Sequence, residues 1–157
     1  MLGNDVIDLD LVKTESDPLR KGWLEKIFTA GERRWIFDSP DPDLAVWTLW
    51  AVKESAYKAH VRMGGEKGFY PGRIICDPET GTVSIRSKTY FFKFEHVPGK
   101  LSACAASDKH LLSELVMIDP EFLCKRDGLP FVREAGTWKP ASMSHHGRFT
   151  EAVTIAG

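Results

Sequence analysis

The segment that most restricts the fold is LAVWTLWAVKESAYKAH, residues 44–60, because its borders leave room for little but a helix. Prolines at 40 and 42 disfavour helix ahead of it, and Gly64-Gly65 follows it. The spacing predicts one long helix over about 44–61, with Asp43 as its cap. Leu44, Trp47, Ala51, Glu54 and Lys58 lie three or four residues apart and share one stripe, which begins apolar and ends in an acid and a base. On a wet surface Glu54 and Lys58 would be an ordinary ion pair worth about 0.2–0.5 kcal/mol. In a cleft the same pair would be chemistry. The helix alone leaves both readings open.

Residues 2–9, LGNDVIDL, read as a strand. Gly3, Asp5, Ile7 and Leu9 then share one face, and Asn4, Val6, Asp8 and Asp10 the other. A helix over 17–28 is expected to open on Asp17 and Pro18, and a short one after Thr29, where Glu32 completes a capping box. From residue 73 the pattern turns to strands: RIICD, TVSIRS, TYFFKFEHV and KLSACAAS. DKHLLSELVMIDPEFL carries a helical turn or two, 127–140 reads as a connection, and a last strand falls near 149–156. Helices and antiparallel strands are segregated, which predicts an α+β fold, an antiparallel sheet packed against the long helix, as one domain over 1–157.

Charged residues make up 27% of the chain and nearly cancel, for a net charge of −1. That excludes a nucleic-acid binder relying on bulk positive charge. Cys76, Cys104 and Cys124 lack metal-ligand spacing and read as free thiols of a reducing compartment. The N-terminus has no basic region before an apolar stretch, and the longest apolar run is half a membrane span. A cytoplasmic protein without a membrane partner is expected.

Asp5 shares a strand face with Ile7 and Leu9, and a carboxylate beside a core must be paired, protonated or metal-bound. Asp5 and Glu54 meeting at one core edge would suit Mg²⁺, which takes one or two protein carboxylates and completes its shell with waters and phosphates. The segment SMSHHGR, 142–148, offers two hydroxyls, two imidazoles and Arg148, either as a phosphate cradle or as a polar hairpin turn. Ser144 and His145 make a poor nucleophile and base, since neighbours on a strand point to opposite faces.

Taken together, GNDVIDL (3–9), IFTAGERRWI (27–36), WAVKESAYKA (50–59) and SMSHHGRFTEAV (142–153) resemble the motifs of the 4′-phosphopantetheinyl transferase superfamily. The resemblance implies transfer of the 4′-phosphopantetheine arm of coenzyme A to a serine of an apo acyl or peptidyl carrier protein, with 3′,5′-ADP leaving. It implies Asp5 and Glu54 as Mg²⁺ ligands, Glu54 and Lys58 as catalytic residues, and Lys53, Lys58, Ser144 and His145 as phosphate contacts. Asp8 matches the acid spacing of the small holo-acyl-carrier-protein synthases, although on a strand it faces away from Asp5. Two rival readings are a carrier-binding module without turnover and a Mg²⁺-dependent hydrolase of nucleotide pyrophosphates.

The resemblance also carries three architectural expectations. Strand 149–156 should lie beside strand 2–9 in one sheet, with the termini close together. A homo-oligomer, a trimer first, should supply a missing wall of the coenzyme A site. A basic face, Arg20, Lys21 and Lys26 with Arg33 and Arg34 next, should meet the acidic helices of a carrier.

Overall fold

The computed structural model describes residues 1–157. Its α+β architecture is organised by α4 (Pro42–Arg62), a 21-residue helix. Asp41, not Asp43, is the cap: its Oδ1 accepts the Leu44 N–H at 3.1 Å, and Pro42 occupies the first turn, where no N–H is needed. Val46, Leu49, Val52, Ala56 and Ala59 are fully buried in the main core.

The helix lies on a five-stranded antiparallel sheet of order β1-β5-β4-β3-β2, made of β1 (Leu2–Asp8), β2 (Ile74–Asp77), β3 (Thr82–Ile85), β4 (Lys88–Val97) and β5 (Lys100–Ala106). The register of β1 on β5 runs from Leu2 opposite Ala106 to Asp8 opposite Lys100. The approach of α4 to β1 explains Gly3. A Cβ there would lie 2.1 Å from the Ser55 carbonyl oxygen and 2.9 Å from the Ala59 nitrogen, so only glycine fits.

Three shorter helices precede α4: α1 (Leu9–Glu15), α2 (Trp23–Ile27) and α3 (Ala30–Asp38). α1 was not anticipated, and it begins on Asp8, whose Oδ1 accepts the Leu11 N–H. The expected 17–28 helix is confined to the five residues Trp23–Ile27. Asp17 caps a turn through Leu19 instead, and Gly22 at φ 87° breaks any continuous helix. The capping box at Thr29 and Glu32 forms as expected, with reciprocal bonds of 3.2 and 2.8 Å.

After α5 (Lys109–Ser113) the chain builds a second antiparallel sheet of order β6-β10-β9-β8-β7. Its strands are β6 (Leu115–Ile118), β7 (Leu123–Arg126), β8 (Leu129–Glu134), β9 (Thr137–His146) and β10 (Phe149–Ile155). The region expected as a connection, 127–140, is two tight hairpins. Asp127-Gly128 and Ala135-Gly136 all have positive φ, the backbone that two-residue hairpin turns require.

The expected pairing of 149–156 with β1 does not form: β10 pairs with β6 and β9 in the second sheet. β9 reaches β1 instead, and it does so with side chains. The outward N–H groups of Asn4, Val6 and Asp8 donate to Ser142 Oγ (3.1 Å), Ser144 Oγ (3.1 Å) and His146 Nδ1 (2.9 Å). A free strand edge is satisfied without a backbone ladder. Leu2 nevertheless packs with Val153, so the two ends of the chain share a small cluster.

Candidate active site

Asp5, Glu54 and Lys58 come together where β1 passes under α4. Asp5 sits two residues after Gly3, on the face that meets the helix, and Glu54 and Lys58 are one helical turn apart. Lys58 Nζ donates to the Asn4 carbonyl at 2.7 Å and to the Met143 carbonyl at 3.4 Å, and lies 3.8 Å from Asp5 Oδ1. Asp5 Oδ1 accepts a 2.8 Å bond from the Ser144 hydroxyl.

Burial raises the Asp5 carboxyl above its ordinary range, opposed by Lys58 and Ser144. Burial also raises Glu54, and the charge of Asp5 raises it further, against Lys58. Two carboxylates that feel each other and are short of partners form a donor set suited to a small hard cation. No third His, Cys, Asp or Glu joins them. That number suits Mg²⁺, which fills the rest of its shell with water and phosphate oxygens. The residues fit the ion. Lys58 further borders an open groove of about 290 Å³ between α4 and β8–β9, together with Leu2, Tyr57, Lys67, Leu129 and Met143.

Lys53 is elsewhere. Fully buried, its ammonium donates to Glu32 Oε1 (2.9 Å) and to the carbonyls of Ile27 (3.1 Å), Pro71 (2.8 Å) and Ile74 (2.6 Å). With every proton engaged inside the core it contacts no phosphate, and that expectation is corrected. His145 is exposed on the face of β9 opposite Ser144 and shares a 2.8 Å hydrogen bond with Thr150, so it does not join the carboxylates. Ser142, Ser144 and His146 are spent on β1, and Arg148 on Asp8. SMSHHGR is therefore a seam rather than an open phosphate cradle.

Asp8 faces away from Asp5, as the strand alternation requires. Arg148 Nε and Nη2 donate to its two oxygens at 2.9 and 3.0 Å, and this clamp, with the Arg148 backbone N–H, holds its carboxyl well below the usual range. The sequence reading passed over Asn4 and His146. Asn4 is buried and lends its carbonyl to Lys58, and alternation with Ser142 and Ser144 was the available signal for His146.

A family model described as the 4′-phosphopantetheinyl transferase superfamily matches residues 1–112. Over 58 residues the chain is 33% identical to the holo-[acyl-carrier-protein] synthase of Chlamydia muridarum (strain MoPn / Nigg), a stretch that is 37% of this chain and 46% of that protein. The match thus spans about half of that relative's length. Two solved structures share the fold. The holo-[acyl-carrier-protein] synthase of Helicobacter pylori, in complex with coenzyme A, superposes with a TM-score of 0.51 at 16% identity, covering 68% of this chain and 98% of the other. That of Neisseria meningitidis gives 0.53 at 14% identity, covering 69% and 97%.

Proposed function

Because this chain belongs to the 4′-phosphopantetheinyl transferase superfamily, we propose that it moves the 4′-phosphopantetheine arm of coenzyme A onto a serine of an apo carrier protein. The observation that carries this reading is the meeting of Asp5, Glu54 and Lys58 beside an open groove. Asp5 and Glu54 would hold Mg²⁺, which when bound neutralises the pyrophosphate and the charge that builds on it. Lys58, held by two carbonyls, adds a positive charge to the same phosphates. Glu54 takes the proton of the carrier serine as that oxygen attacks the pantetheine-side phosphorus. The bond to the bridging oxygen breaks, and 3′,5′-ADP leaves with the electron pair.

A carrier with acidic helices would meet the basic residues around α2 and α3. Arg20, Lys21, Lys26 and Arg34 are exposed around α2 and α3, with Arg20 stacked on Trp23 at 5.2 Å. Arg33 is less available, since it donates to the Phe28 carbonyl. A homo-oligomer, a trimer first, remains part of the reading. The free edge of β6, with Val116 and Met117 exposed, is a surface a second copy would cover.

The test is mass spectrometry of an apo acyl carrier protein incubated with the chain, coenzyme A and Mg²⁺. A mass gain of one phosphopantetheine group on the serine is the expected result. Carrier binding without that gain would reduce the chain to a docking module. Cleavage of coenzyme A without a carrier would make it a hydrolase.

A further inference from the structure

We infer that Ser144 is a positioning residue that orients Asp5 for the metal, and that the β9 seam fixes it there; this rests on the metal role proposed above. The argument is one of valence. A serine hydroxyl has one proton to give and two lone pairs to receive. Ser144 gives its proton to Asp5 Oδ1 at 2.8 Å and receives the Val6 N–H at 3.1 Å, while only 6% exposed. Nothing is left to donate to a phosphate.

The neighbours prevent Ser144 from turning to another partner. One rung before it, Ser142 receives the Asn4 N–H, and one rung after it, His146 receives the Asp8 N–H. The spacing of two on both strands runs in the same direction, so β9 is pinned in register along β1 at three points. Arg148 locks the end of the seam through both oxygens of Asp8. All these β9–β10 residues lie beyond residue 112, outside the stretch matched by the family model. The matched part supplies the carboxylates, and the remainder holds one of them in place.

Groups that orient a metal ligand typically cost about 10–100-fold in metal affinity when removed. For Ser144→Ala in the full chain we expect the Mg²⁺ Kd, measured by calorimetry with the metal alone, to rise by about tenfold or more. The KM for coenzyme A should stay within about twofold of wild type. Ser142→Ala is the matched control: it removes an equivalent seam hydroxyl that does not touch Asp5, and should leave the Mg²⁺ Kd unchanged. Ser144→Cys keeps the shape with a weaker donor and should move Mg²⁺ affinity in the same direction, which preserves the test if the alanine variant does not fold. Equal effects of Ser144→Ala and Ser142→Ala on Mg²⁺ would overturn the inference. So would a raised KM for coenzyme A with unchanged Mg²⁺ affinity, the mark of a phosphate contact. If the wild-type chain binds no Mg²⁺, the metal reading itself fails, before any variant is compared.

Discussion

Five residues apart on α4, two lysines face two carboxylate clusters, and the clusters differ in how completely their hydrogen-bonding capacity is used. Lys53 and Glu32 are 0% and 1% exposed; the ammonium is saturated by one carboxylate and three carbonyls, and Glu32 also receives the Thr29 and Cys76 N–H groups. Lys58 and Asp5 are 32% and 14% exposed and 3.8 Å apart, and Glu54 beside them is pushed upward by burial and by Asp5. The first cluster is closed and ties α2, α3, α4 and β2 together. The second is open, and its unmet demand is what a metal and phosphates would satisfy. Charge on a helix tells little about function until its partners are counted.

The largest expected effect falls on the closed cluster. Lys53→Met leaves Glu32 charged and buried without its partner, and should cost about 3–5 kcal/mol of stability in urea unfolding. A loss below about 1 kcal/mol would mean that the cluster does not fasten these elements together, and the contrast would collapse.

The open cluster should respond in the opposite sense. Glu54→Gln or Asp5→Asn should lower transfer by at least about a hundredfold, roughly 2.7 kcal/mol of barrier. The metal-free chain should melt no lower than wild type, because each substitution removes one of two mutually repelling charges. Lys58→Ala should also lose transfer, whereas an ordinary surface ion pair at that position would cost only a few tenths of a kcal/mol of stability and no transfer. Near wild-type transfer in either carboxylate variant would remove that residue from the site.

A smaller effect tests whether Asp8 belongs with the closed kind of cluster. Its folded carboxyl lies below the ordinary value because Arg148 and backbone N–H groups bind the charged form. The stabilisation is therefore complete above the ordinary aspartate pKa of about 4, and fades as pH falls below it. Asp8→Asn should be less stable than wild type by a constant margin near neutral pH, and the two unfolding curves should converge in acid. A margin that persists unchanged well below pH 3 would show that the carboxylate charge is not what Arg148 reads.

The faces on which Asp5, Glu54 and Lys58 meet were legible because strand alternation and helical spacing are local rules. Lys53 was legible too, but misread: it lies four residues after Leu49 and three before Ala56, on the stripe that turns inward, and a lysine there must find buried partners. Asp127-Gly128 carried the signal of a hairpin that was read as a connection. The helix from Asp17 failed where Gly22 takes a backbone that helix residues avoid. The seam was not legible. Its bonds join side chains to backbone across 138 positions, and no periodicity encodes such a meeting.

That separation has a consequence for the making of the protein. The helix, β1 and β5 that form the main core are all complete by residue 106, whereas the groups that hold Asp5 and its neighbours come from residues 142–148. Chains fold from the N-terminal side as they are synthesised, and distant contacts close after near ones. A ribosome-bound or prematurely ended chain can therefore bury its core while its carboxylate site is still unaligned. Until residues 142–148 have docked, Asp5 lacks the hydroxyl that orients it, so alignment of the carboxylates follows burial of the core in time as well as in sequence.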